Sequence, residues 1–146
     1  LKISVHNRQR TVPVRLPWLQ RFAETALPLC ARHSADGRFA LRTLHEVEVA
    51  IVSDRVIAGV HERFMAIAGP TDVITFEHGE IVISAQTALR YATQYRQPLD
   101  HELALYTVHG LLHLNGYEDA SARDAARMRR LQQRIVQTCL AAIPAL

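Results

Sequence analysis

Cysteine is scarce in this chain: Cys30 and Cys139 are the only two in 146 residues, far apart and without C-x-x-C spacing. That excludes a disulfide scaffold and a zinc ribbon, and leaves buried free thiols as the expectation. Lysine is scarcer still. Lys2 is the only one, so the basic side of a formal net charge of +3 is almost wholly arginine. Guanidinium groups make bidentate contacts with phosphate, which favours an anionic partner. Long apolar runs are also missing, because charge interrupts each within a few residues, and the opening LKISVHNRQR has no apolar stretch of the secretory kind. The expectation is a cytoplasmic protein without a membrane segment. Repeats, low-complexity tracts and long linkers are absent, and a chain of this length that is 49% hydrophobic fills one core, so residues 1–146 read as a single domain.

What is present is periodicity. Leu1, Ile3 and Val5 alternate as in a strand, and Leu16 to His33 carries Leu19, Phe22, Ala26 and Leu29 at helical spacing, with Pro28 placed to kink or shorten that helix. Glu46 to Val52 alternates Val47, Val49 and Ile51 with polar or small residues, which predicts a strand with one buried face. Ser53 or Asp54 can cap a helix with Ile57, Val60 and Phe64 on one side, ending before Gly69-Pro70. Asp72 to Phe76 and Glu80 to Ser84 are β-branched runs at hairpin spacing. Ser84 opens a further helix through Tyr95, and Asp100 is placed to cap the one after it. The order β-α-β-α-β-β-α-α-α predicts an α+β domain, a small mixed sheet of about four strands with helices packed on it.

The helix predicted from His101 to about Asn115 is apolar nearly all round, so it is central and buried. Burying imidazole is costly unless its nitrogens find partners, yet this helix carries His109 and His113. Positions four apart lie about 40° apart around the axis and one turn along, so the pair can chelate one ion. Gly116 permits the turn that follows, and Glu118 and Asp119 come at once. A carboxylate from that turn completes a three-ligand zinc site with the fourth position left to water. Such water is acidic enough to attack an ester or phosphodiester near neutral pH.

The run His109-Gly110-Leu111-Leu112-His113-Leu114-Asn115-Gly116-Tyr117 resembles the signature H-G-x-L-H-L-x-G-Y-D-H of the YbeY-type rRNA maturation endoribonucleases. Pro70 to Phe76 resembles that family's P-T-D stretch, and Gly79 to Ser84 its G-D-I-V-I-S. The resemblance implies a small α+β fold, a zinc site made by three histidines, and a role in processing or quality control of ribosomal RNA. At two places the chain departs from the pattern. Asp119 stands where the third histidine falls, a competent ligand that adds a negative charge and makes the bound water less acidic. Met65 stands where the family has an arginine, and His61 where it has asparagine; Arg63, two residues along the helix, points elsewhere.

The last helix opens with Ser121-x-x-Asp124, a capping box, and buries Met128, Leu131, Ile135 and Cys139. Arg123, Arg127, Arg130 and Arg134 form a stripe on its other face, a solvated surface or one that tracks an RNA backbone. Met128 reads as core, and His78 and His101 as surface residues. A zinc peptidase of the metzincin kind places glutamate after its first histidine; here that residue is Gly110. The function expected is a single-strand endoribonuclease with one Zn2+ on His109, His113 and Asp119, its groove walled by Thr71 and Asp72 onward and Glu118 a local candidate base. Its expected partners are an rRNA precursor and the ribosome. The competing reading is a non-catalytic, ribosome-associated RNA-binding protein with a structural zinc.

Overall fold

The computed structural model describes residues 1–144. Strand β1 (Lys2–Asn7) leads through α1 (Leu16–Ala31) and a 3-10 turn (Ala40–Thr43) to β2 (Glu46–Val52). Helix α2 (Asp54–Met65) precedes the hairpin of β3 (Val73–Phe76) and β4 (Glu80–Ser84), and α3 (Ala85–Gln94), α4 (Leu99–Leu114) and α5 (Ala122–Ala142) follow. The element order is the one expected, with the 3-10 turn added. None of the described helices is long and apolar enough to cross a membrane.

The four strands lie in the order β1-β2-β4-β3, with β1, β2 and β4 parallel and β3 antiparallel to β4. Parallel neighbours need a crossover, which α1 supplies between β1 and β2, and α2 with β3 between β2 and β4. Being central, β2 is buried on both faces toward its end, which corrects the expectation of one buried face. Val47, Val49 and Ile51 join the main core with α1, α4 and α5, whereas Ala50 and Val52 meet Ile57, Ile74 and Val82 in a second, smaller core beneath α2. Phe64 does not join Ile57 there. It is 60% exposed and meets Phe76 edge-on.

Two helix ends also differ from expectation. Helix α1 continues through Pro28 but stops at Ala31, short of His33. Asp100 does not cap α4: the helix begins at Leu99 behind Pro98, and Asp100 lies inside the first turn, bonded to Arg15 at 2.6 Å. Proline at the boundary supplies the extended backbone from which the helix starts, so no side-chain cap is needed. The Ser53, Ser84 and Ser121 hydroxyls do cap α2, α3 and α5, accepting from Val56, Thr87 and Asp124 amides.

Helix α4 lies close against β4 because of Gly110. A Cβ at that position would stand 2.7 Å from Cγ2 of Ile81, so only hydrogen fits. Asn115 fixes the far end of α4. Fully buried, it accepts from the Leu41 amide at 3.0 Å and donates to the carbonyls of Cys30 and His33. Gly116 then reverses the chain at φ 95°.

Candidate metal centre

One turn apart on α4, the His109 and His113 rings stand nearly perpendicular, with centroids 4.5 Å apart. Each Nδ1 is committed elsewhere. That of His113 donates to the Tyr117 carbonyl at 2.8 Å, and that of His109 to Oε1 of Gln132 on α5 at 2.7 Å. Since a carbonyl oxygen only accepts, both rings carry their proton on Nδ1 and turn Nε2 inward. The two Nε2 atoms lie 2.9 Å apart, and each is 3.6 Å from Oδ2 of Asp119. Two imine lone pairs and a carboxylate facing one another repel unless a cation lies among them.

Two edges of the triangle, those from Asp119 at 3.6 Å, have the length of a zinc face, while the edge between the two Nε2 atoms is shorter at 2.9 Å. Tetrahedral ligands about 2.0–2.2 Å from one ion stand roughly 3.3–3.6 Å from each other. Burial pulls the His109 pKa below its usual value, and the neighbouring His113 adds to this against weaker opposition from Gln132 and Asp119. Neutral imidazole is the form that ligates a metal. His109, His113 and Asp119 therefore form a group able to hold a metal ion.

Beside the triangle opens a hollow of about 500 Å³ whose wall includes His113, Tyr117, Glu118, Thr75 and Arg38. Glu118 is exposed at its rim, and Asp36 and Glu77 leave that wall with more negative than positive charge. On the other side of Tyr117 a recess of about 170 Å³ is lined by Arg127, Arg130, Arg134 and His33. The Arg127 guanidinium sits 5.2 Å from the centre of the Tyr117 ring. Three of the four predicted arginines thus converge beside the ligand-bearing turn. Arg123 is exposed but does not line that recess.

Thr71 and Asp72 line neither of these. They wall a third hollow with Thr87, Arg90, Tyr91 and Gln94, where Oδ1 of Asp72 accepts from the Val73 amide at 2.8 Å. Met65 is exposed at the end of α2. His78 is exposed beside Glu80, and His101 is half-buried. A more apolar hollow of about 550 Å³, between β1 and α1, brings together no cluster of metal-ligating side chains among the described residues.

Sequence reasoning missed Gln132, which orients His109. The signal was there: Gln132 stands four residues after Met128, at a core position of α5, where a buried amide requires a partner.

A family model described as Endoribonuclease YbeY matches residues 4–139. The Endoribonuclease YbeY of Moorella thermoacetica is 29% identical over 93% of this chain and 96% of its own length. That of a Synechococcus strain is 30% identical over 82% of each. The solution structure of a Thermotoga maritima protein superposes with a TM-score of 0.66 over 96% of this chain and 90% of its own, at 23% identity, and so shares the fold.

Proposed function

The chain belongs to the endoribonuclease YbeY family, and we propose that residues 1–146 form one metallohydrolase domain that cleaves single-stranded RNA with one zinc ion held by His109, His113 and Asp119. The reading places it in the cytoplasm, in maturation of an rRNA precursor and quality control of the ribosome. The observation that carries it is the 2.9 Å approach of two Nε2 atoms whose Nδ1 protons are both committed outward.

When bound, zinc supplies a Lewis acid and lowers the pKa of the attacking water toward neutrality. The chain's residues do the rest. Gln132 and the Tyr117 carbonyl hold the imidazoles in one tautomer and orientation. Asp119 adds a negative charge to the ligand set, which moderates the acidity of the water. Glu118, at the rim of the hollow beside His113, accepts the water's proton. The acidic wall there disfavours phosphate on its own, so the cation is also what makes the hollow receptive to an RNA backbone. Arg127, Arg130 and Arg134 hold that backbone beyond Tyr117, with Arg123 further along the same helix.

Metal analysis of the purified protein, with cleavage of rRNA fragments measured with and without chelator, tests the reading. Stoichiometric zinc and chelator-sensitive cleavage are expected; cleavage that survives chelation overturns it. RNA affinity in rising salt tests the arginine face: Arg127→Gln should lower the slope of log affinity against log salt by roughly one contact, about 0.7. The competing reading, RNA binding around a structural zinc, draws on the absence of a guanidinium at Met65 and predicts zinc with no cleavage. A peptidase of the metzincin kind is disfavoured because the glutamate it uses as base, directly after the first histidine, is Gly110 here.

A further inference from the structure

A phosphate entering the hollow beside His113 must pass Asp36, Glu77 and Glu118, and of the arginine and lysine side chains only Arg38 lines that hollow. Arg127, Arg130 and Arg134 line the recess across Tyr117 instead. On the metal side of Tyr117, the guanidinium within reach of such a phosphate is that of Arg38.

The loop carrying Arg38 is fixed against the ligand-bearing turn. Oδ1 of Asp36 accepts from the Arg38 amide at 3.0 Å and from the Ser34 hydroxyl at 3.1 Å, and the Ser34 oxygen accepts in turn from the Phe39 amide at 3.2 Å. Phe39 is held at φ 51°, a left-handed conformation that bulky residues rarely take, with the Arg42 guanidinium 4.4 Å from its ring centre. On its other side Asp36 packs on Gly116, where a Cβ would stand 3.1 Å from the carboxyl carbon and from both oxygens. Asp119 follows three residues later. Position 38 is thereby tied to the turn that delivers the third ligand.

The side chain of Arg38, by contrast, is uncommitted. It is 83% exposed, and the nearest carboxylate oxygen, Oδ2 of Asp36, lies 3.7 Å from its Nε, too far for a hydrogen bond. An anchored backbone with a free guanidinium suits the capture of an arriving anion, because two N–H groups can meet two oxygens of one phosphate at once. A cation on the triangle and Arg38 each offset part of the repulsion from the acidic wall. Each should therefore strengthen the other's hold on a shared phosphate.

We infer that Arg38 is the substrate-binding guanidinium of this hollow, taking the non-bridging oxygens of the phosphate presented to His109, His113 and Asp119. The inference rests on the RNA-cleaving reading and adds to it the residue that grips the phosphate at the metal.

The test measures coupling between the metal and Arg38. A fluorescent 2′-O-methyl hexauridylate, which resists cleavage, is titrated at fixed salt into the full chain with zinc and with chelator, for wild type, Arg38→Gln and Arg55→Gln. Arg38 makes no side-chain hydrogen bond, so its replacement leaves the fold intact; Arg55, exposed at the start of α2, controls for loss of one positive charge. The gain in affinity on adding zinc should be at least about fivefold smaller in Arg38→Gln than in wild type, and unchanged in Arg55→Gln. Equal zinc gains in wild type and Arg38→Gln, or an equal loss of gain in Arg55→Gln, overturn the inference. A chain that takes up no zinc overturns it together with the metal reading. Natural rRNA fragments left uncut, with the coupling intact, would sink the hydrolase reading alone; cutting without coupling would sink only the role of Arg38.

Discussion

Two polar places in the molecule, the triangle on α4 and its turn and the hollow lined by Asp72, Thr87 and Arg90, are built on opposite principles. At the first, both Nδ1 atoms have assigned partners, and the two Nε2 atoms and a carboxylate oxygen converge on one point. At the second, the polar groups are spread about a void. Convergence selects a small sphere, an ion; dispersal around a void selects an extended molecule. The contrast teaches that unsatisfied polarity has a shape, and that the shape indicates what is missing.

The largest effect should come from breaking convergence. His113→Ala removes one corner of the triangle, and zinc affinity measured by competition with a chelating dye should fall by more than about a hundredfold, beyond what loss of a supporting partner does. Gln132→Leu keeps all three ligands but frees the His109 ring to change tautomer. Zinc should then bind roughly 10–100-fold more weakly, and an unchanged affinity would show that the buried amide does not orient the ligand.

The smallest effect concerns Asp54, which is bonded to Arg90 at the wall of the second hollow. Burial raises the Asp54 carboxyl's pKa, but hydrogen bonds from Arg90, Ser84 and Thr87 together outweigh it and hold it below the usual range. Its contribution is therefore full above the unfolded value of about 3.9 and is lost as pH falls through the lower folded value. Denaturation of wild type and Asp54→Asn from neutral pH downward should show a small wild-type advantage that shrinks only in strong acid.

Both histidines and the carboxylate were legible in the sequence because their geometry is local: one helix and one turn fix all three. The strands were legible for the same reason, since alternation is a property of a few adjacent residues. The second face of β2 was not, because Ala50 and Val52 are buried only by what α2 and β3 bring to them. Asp100 misled because a good capping residue also suits a helix's first turn, and Arg15 is 85 residues away. Thr71 and Asp72 were read as substrate-facing; which hollow they line, one separate from that beside His113, depends on how α3 packs beside α4. Tyr106 reads in sequence as one more core aromatic.

Asn115 has a bearing on time as well as on place. Its side chain joins the end of α4 to Leu41, 74 residues earlier, and to Cys30, 85 residues earlier. Contacts of that span close late, after the intervening loops have lost their freedom. The turn carrying Asp119 should therefore reach its final position only when the first helix has docked, and any affinity for a metal ion there should be complete only late in folding. An ion bound there should slow the reverse journey: its release should coincide with undocking of α1 from the end of α4, not with fraying of that end alone.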